Sequence, residues 1–132
     1  MTQHKEKPSI LVIRDDISEP ERLESAASKC DIDYCSLAES NGRRANYSAV
    51  MFHAAKSEKD SLVRLEVIKQ HFPSTPVAFL ARRDQAPQIG FLLENGADKC
   101  FVKQLSPNEI NRVMYAMQEQ GVEALSRIQP WA

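Results

Sequence analysis

Residues 9–16 read SILVIRDD, and this stretch decides the fold class. Its first five residues form a short apolar run, partly β-branched, which is typical of a strand buried on both faces of a parallel sheet. The run ends in Arg14, Asp15 and Asp16, so charged residues stand directly after the strand. A strand of this kind predicts further parallel strands beside it and helices on both faces of the sheet.

The remaining sequence supplies those elements. Buried-strand runs recur as AVMF at residues 49–52, VAFLA at 77–81 and CFV at 100–102, with a weaker run at 32–37. Between the runs, apolar residues recur at helical spacing. Strand and helix therefore alternate five times, which predicts an α/β domain with a doubly wound parallel sheet and right-handed crossovers. The site of such a sheet lies at the carboxyl ends of its strands.

Composition limits the classes of function. The chain has 132 residues and a net charge of −1, which fits one domain and gives no overall field that favours nucleic acid or a membrane. No apolar run approaches the roughly 20 residues that span a bilayer, and we expect no export signal. Three dispersed cysteines fit a reducing cytoplasm. We expect one domain over residues 1–120 and a short tail over residues 121–132, apolar enough to pack on this domain or on a partner.

Four segments resemble the receiver domains of response regulators. They are residues 10–16, 47–53, 75–81 and 95–103, the last reading NGADKCFVK. The resemblance covers nearly the whole chain and is most specific in the last segment. It implies a three-layer, flavodoxin-like fold with a five-stranded parallel sheet in the order 2-1-3-4-5, and a place in bacterial two-component phosphorelay signalling in the cytoplasm.

The resemblance also implies a phosphorylation site, which this chain retains only in part. Receiver chemistry uses two carboxylates that hold Mg²⁺, a phosphoacceptor aspartate, a hydroxyl after the fourth strand and a lysine after the fifth. Here an arginine replaces the first carboxylate, a histidine replaces the phosphoacceptor, an alanine replaces the hydroxyl and a cysteine replaces the aromatic switch residue. The degenerate site is predicted to comprise Arg14, Asp15, Asp16, His53, Ala81 and Lys103, with Cys100 at the switch position.

We interpret the chain as a pseudo-receiver that has kept the fold and lost phosphotransfer, with no metal, no cofactor and no enzymatic activity. The charged residues are predicted to form an ion network in place of the metal site, or else a solvated cluster at the rim. Phosphorylation of His53 and a zinc site formed with Asp15 and Cys100 are alternatives. A hydrogen bond from His53 to Asp15 or Asp16 is the interpretation that we favour.

Three functions follow from this interpretation. The first is a phosphorylation-independent module that binds a protein partner of a signalling pathway. The second is a sensor of a small ligand, such as a nucleotide or another anion, that binds through Arg14, Arg82, Arg83 and Lys103. The third is an enzyme on the same frame, which the lack of a nucleophile and base pair at the strand ends disfavours.

The resemblance implies where a protein partner would bind. Receivers usually dock through the face made by the fourth helix, the fifth strand and the fifth helix, and a homodimer through that face is one form of the prediction. Residues that lie off the apolar stripes of the two helices are expected to be exposed there, namely Gln88, Glu94, Asn111 and Arg112.

Overall fold

The computed structural model describes residues 9–14, 31–43, 46–103, 108 and 127–131. Six strands form one sheet in the order β2-β1-β3-β4-β5-β6, and every neighbouring pair is parallel. The strands are β1 (Ser9–Ile13), β2 (Asp31–Cys35), β3 (Ala49–His53), β4 (Val77–Ala81), β5 (Lys99–Lys103) and β6 (Ile128–Trp131). The described α-helices are α1 (Glu58–His71) and α2 (Gln88–Glu94), and 3-10 helices span Glu39–Gly42 and Arg83–Gln85.

The central strands β1, β3 and β4 are largely buried on both faces of the sheet, as their apolar runs predict. All five residues of β4 are buried because this strand lies inside the sheet between β3 and β5. Alternate residues face the two sides of a strand. Phe52 and Phe79 accordingly pack in the larger core together with residues of α1 and α2, whereas Met51 and Leu80 belong to a second cluster. The helix expected between the first two strand runs and the helix expected after the last of the apolar runs lie outside the described residues, apart from residue 108.

Helix α1 begins and ends where local chemistry favours it. The Ser57 hydroxyl accepts a hydrogen bond from the Asp60 amide at 3.1 Å, which satisfies one of the N–H groups exposed at a helix start. Leu65 and Ile68 are fully buried on the face that meets the sheet. The helix ends at His71, shortly before Pro73 and Pro76, where the chain turns into β4.

The turn from α2 into β5 requires a glycine. Gly96 has a φ of 113°, a conformation that residues with a Cβ rarely adopt. The Lys69 ammonium donates to the Gly96 carbonyl at 2.9 Å, which ties this turn to α1. The Asp98 carboxylate accepts from the Val77 amide at 2.8 Å and so fixes the start of β4 beside β5. Asn95 and Gly96 thus end α2.

The predicted fold class is confirmed, but the predicted count of five strands is wrong. Part of the apolar tail pairs with β5 as a sixth parallel strand, with Cys100 opposite Ile128. Ile128 is buried in the main core, and the Cys100 amide donates to the Arg127 carbonyl at 2.6 Å. Backbone N–H and C=O groups point to alternate sides along a strand. Arg127 bonds to β5 through its carbonyl, so the backbone groups of Ile128 and Pro130 point away from β5. Pro130 offers no N–H there, which is how edge strands avoid further pairing.

Candidate functional site

Four of the predicted site residues stand at the same edge of the sheet. Ile13 pairs with Phe52, His53 with Leu80, and Ala81 with Val102. The carboxyl ends of adjacent strands therefore lie at about the same level along the edge of the sheet. This register brings Arg14, His53, Ala81 and Lys103 to the carboxyl ends of β1, β3, β4 and β5. Asp15 and Asp16, the predicted acidic half of the site, lie outside the described residues.

Arg14 turns away from the centre of this edge. Its side chain is exposed, and its guanidinium carbon lies 5.4 Å from the centroid of the Tyr34 ring on the outer strand β2. Strands β1 and β5 are three strand spacings apart, about 14 Å. The strand order therefore separates the backbone of Arg14 from that of Lys103, two residues that the resemblance places in one degenerate site.

His53 is half-buried at the end of β3, and its main chain is tied to α1. The Arg64 guanidinium donates to the His53 carbonyl at 2.9 Å, and Arg64 is itself buried. The hydrogen bond predicted between His53 and Asp15 or Asp16 involves residues outside the described part of the chain. His53 is thus held by its backbone at the position where the resemblance places a phosphoacceptor.

Ala81 and Cys100 are both fully buried. Ala81 ends β4 with a methyl group, so this position offers no hydroxyl to an anion. Cys100 lies inside β5, as expected, and not at the mouth of the site. Burial raises the pKa of the Cys100 thiol well above its ordinary value, because the surrounding core disfavours the thiolate. A buried neutral thiol is a poor metal ligand and a poor nucleophile.

A buried polar cluster beside the site was not predicted from the sequence. We call Ser61, Gln85 and Gln88 the loop clamp, because they hold the loop that follows β3. The Ala55 amide donates to the Ser61 hydroxyl at 2.7 Å. That hydroxyl donates in turn to the Gln88 side-chain carbonyl, and the Gln88 side-chain amide donates to the Ala55 carbonyl at 2.7 Å. These three hydrogen bonds close a ring.

Gln85 extends the clamp to the loop after β4. Its side-chain amide donates to the carbonyls of Ala54 and Ala55, at 2.9 and 3.2 Å. Its side-chain carbonyl accepts from the Arg82 amide at 3.0 Å. One buried side chain therefore joins the loops that follow two neighbouring strands.

The prediction that Gln88 is exposed is wrong, since only 5% of its surface is accessible. Glu94 is exposed as predicted, whereas Asn111 and Arg112 lie outside the described residues. One signal in the sequence could have indicated the clamp. Ser61 precedes Leu65, Ile68 and Phe72 on the apolar stripe of α1, and a small polar residue on such a stripe needs a buried partner.

Basic side chains gather where β4 and β5 end. An open depression of about 520 Å³ is lined, within the described part of the chain, by Arg82, Arg83, Asp84 and Lys103. The Arg82 guanidinium contacts the Asp84 carboxylate at 3.3 Å, and both side chains are largely exposed. Arg14 is not part of this lining, so the four basic residues predicted to act together do not share one cavity.

Two further observations concern the described residues alone. No three or more His, Cys, Asp or Glu side chains gather there in a group that could hold a metal ion. No described helix has both the length and the apolar character needed to cross a membrane.

Comparison with known proteins places the fold. No protein-family model matches the chain, and no curated protein does. Solved structures do match. The receiver domain of NtrC4 from Aquifex aeolicus superposes with a TM-score of 0.52 at 16% identity, over 91% of this chain and 98% of that one.

The chain has the fold of a receiver domain. RcsB from Salmonella enterica, solved bound to the promoter rprA, matches with a TM-score of 0.56 at 17% identity, over 92% of this chain and 64% of that one. The pilus assembly protein CpaE from Caulobacter crescentus matches with a TM-score of 0.52 at 17% identity, over 83% and 98% of the two chains. Structural similarity at such low sequence identity establishes the fold alone, so function has to be argued from the residues of the site.

The predicted partner face comprises the fourth helix, the fifth strand and the fifth helix. The helix predicted as the fourth is α2, which stands next to β5 in the chain. Strand β6 pairs with the outer edge of β5 along Cys100, Phe101, Val102 and Lys103. The predicted homodimer face therefore presents no unpaired edge of β5. The fifth helix of that face lies outside the described residues.

Proposed function

We propose that the chain is a signalling receiver domain that binds a protein partner without being phosphorylated. The interaction surface would then already have the conformation that binds the partner. No phosphoryl group would be needed to populate that conformation. The receiver fold supports the assignment to signalling, and the strand-end residues support the loss of phosphotransfer.

The loop clamp is the observation that carries this proposal. Gln85 and Gln88 fix the loop after β3 through its main-chain carbonyls, and Gln85 also fixes the start of the loop after β4. Both glutamine side chains and Ser61 are buried. Breaking a buried hydrogen bond without a replacement costs about 1 to 3 kcal/mol. Moving either loop breaks several of these bonds together, which favours one fixed conformation over a switch.

The strand ends support the absence of phosphotransfer. His53 cannot form the acyl phosphate that an aspartate forms, and Ala81 cannot donate to a phosphoryl oxygen. Arg14 stacks toward Tyr34 and contributes a positive charge where the resemblance requires a ligand for Mg²⁺. Lys103 alone matches the receiver pattern among these four residues.

The outer side of α2 is the described surface that best suits a partner. Glu94, the last residue of α2, and Asn95, the residue that follows the helix, are exposed there, and Phe91 is half-buried beside them. The clamp residue Gln88 begins the same helix, so α2 is anchored at one end to the core. An anchored helix presents its outer residues with little loss of conformational freedom on binding.

Incubation with acetyl phosphate and Mg²⁺ tests the phosphotransfer half of the proposal. Intact-mass spectrometry is expected to show no phosphoryl adduct on the wild-type chain. The variant His53→Asp is also expected to stay unmodified, because Arg14 and Ala81 still fail to hold the metal and the phosphoryl oxygen. Stoichiometric labelling of either protein would contradict the proposal.

Quantitative affinity capture from the native cell tests the partner half. Glu94→Arg is expected to reduce the capture of a specific partner at unchanged melting temperature, while pretreatment with acetyl phosphate changes nothing. Lys59→Glu, an exposed charge reversal on α1, is the matched control and is expected to retain the partner. Equal loss from both reversals, or capture that depends on the phosphodonor, would contradict the proposed surface or the proposed independence of phosphorylation.

A further inference from the structure

We infer that the outer edge of β2, the side of this strand that faces away from β1, binds an extended protein segment with basic side chains at alternate positions. The segment would add to the sheet as a further strand. This inference goes beyond the proposed partner surface and does not depend on it, because α2 leads into β5, whereas β2 forms the opposite edge of the sheet.

The strand order leaves the outer edge of β2 without a neighbouring strand. β2 pairs with β1, and the Arg14 amide donates to the Cys35 carbonyl at 3.0 Å. Because backbone groups point to alternate sides along a strand, those of Ile32 and Tyr34 point away from β1. Among the described residues, the Ile32 amide, the Ile32 carbonyl and the Tyr34 amide have no hydrogen-bond partner. An edge with such groups is a template for a further strand.

The two faces of β2 present different side chains to such a strand. Asp31 and Asp33 lie on one face, and both are exposed. Ile32 and Tyr34 lie on the other face, where Tyr34 is 36% exposed. Side chains directly opposite each other on neighbouring strands interact, and opposite charges or aromatic and β-branched pairs are favourable. A segment with lysine or arginine beside the aspartates and valine or isoleucine beside Tyr34 therefore matches this edge.

Arg43 already makes part of the contact that we assign to the segment. Its guanidinium donates to the outward carbonyl of Tyr34 at 3.3 Å, which is long for a hydrogen bond. Arg43 also interacts with the Tyr47 hydroxyl and lies close enough to Asp33 for their opposite charges to attract. Because its side chain is exposed, an incoming strand can displace Arg43 at low cost.

Arg14 restricts the basic side chains of the segment to one face. Its guanidinium carbon lies 5.4 Å from the centroid of the Tyr34 ring, so a cation already occupies the side of β2 that carries Tyr34. A second cation beside Arg14 would be repelled. Lysine or arginine at every second position meets the aspartates alone, which is why an alternating pattern is required.

A second copy of this chain would be a poor occupant of the same edge. Antiparallel pairing of two β2 strands centred on Ile32 or on Asp33 sets aspartates of one copy opposite aspartates of the other. Like charges at directly opposed positions are destabilising. The acidic face of β2 therefore favours a basic segment of another protein over self-association through this edge.

Titration of the full chain with short peptides, followed by amide chemical shifts and calorimetry, tests the inference. The probe is a peptide of alternating lysine and valine. It is expected to shift the amides of Ile32 and Tyr34 in a saturable manner. Two controls should bind about tenfold more weakly or not at all. One has the same composition with its lysines in one block, and the other alternates glutamate and valine.

Four substitutions test the geometry of the edge. Ile32→Pro removes an outward N–H without touching the ladder to β1 and should abolish binding, whereas Ile32→Ala, the matched control, keeps that N–H and should retain it. Asp31→Lys should weaken binding of the lysine peptide about fivefold and strengthen that of the glutamate peptide. Arg43→Ala should tighten binding several-fold, because the segment no longer competes for the Tyr34 carbonyl.

Three outcomes would overturn the inference. The first is no saturation with the alternating lysine peptide below about 10 mM. The second is equal affinity for the alternating and the block peptide, which would mean unspecific attraction to negative charge. The third is equal binding by Ile32→Pro and Ile32→Ala. Melting temperatures show whether each variant is folded. The wild-type chain tests strand addition without any substitution, since a peptide methylated on its backbone amides should not bind.

Discussion

The side-chain amide of Gln88 donates a hydrogen bond of 2.7 Å to the main-chain carbonyl of Ala55, across 33 positions of the chain. The contact joins the first residue of α2 to the loop that follows β3. Ser61 completes the link, since its hydroxyl bonds to both the Ala55 amide and the Gln88 side chain. The site edge of the sheet is thereby held by side chains from two helices.

Gln88→Ala is expected to lower the free energy of unfolding by about 1 to 3 kcal/mol, because it removes hydrogen bonds of two buried groups. Glu94→Ala, at the exposed end of the same helix, should change it by about 0.5 kcal/mol or less. Urea denaturation monitored by circular dichroism measures both values. A Gln88 variant as stable as the Glu94 variant would show that the clamp does not stabilise the loop.

Ile128→Asp is expected to lower the free energy of unfolding by more than about 2 kcal/mol, because Ile128 is buried in the core and a carboxylate there has no compensating charge. Gln129→Asp is the control, since this neighbouring side chain is exposed on the other side of β6. It should change stability by about 0.5 kcal/mol or less. Similar stabilities of the two variants in thermal denaturation would contradict the pairing of β6 with β5.

Gly96→Ala is expected to destabilise the fold by more than about 1 kcal/mol, because its φ of 113° is strained for a residue with a Cβ. The added carbon would also lie 2.9 Å from the Lys69 ammonium, which is flexible enough to move. Gly42→Ala meets no atom within 4 Å and should be neutral or stabilising by about 0.4 to 1 kcal/mol. A stable Gly96 variant would refute the strained turn.

Cys100 is expected to resist alkylation by iodoacetamide at pH 8 in the native protein and to react once urea unfolds the chain. Burial raises its pKa, so the unfolded state loses the thiol proton first as pH increases. Its contribution to stability is therefore constant below the ordinary pKa of a thiol and falls as pH rises above it. Peptide mass spectrometry measures the labelling, and rapid modification of the native protein would contradict the burial.

The apolar runs in the sequence determined the fold class. Strands such as residues 77–81 are apolar throughout because both faces of the sheet are covered, and this pattern is visible without coordinates. The helix stop at Gly96 was equally readable, because its cause is the local backbone conformation of one residue. The positions of the strand ends followed from the same runs.

Only the tertiary structure decided which residues act together. Arg14 and Lys103 seemed to belong to one charged cluster, but the strand order separates β1 from β5 and directs Arg14 toward Tyr34. Gln88 seemed to be exposed because it lies off the apolar stripe of its helix, yet its partners Ser61 and Ala55 lie 27 and 33 residues away in the chain. Periodicity reports which face of its own helix a residue occupies, and a buried polar group depends on hydrogen-bond partners that only the folded chain supplies.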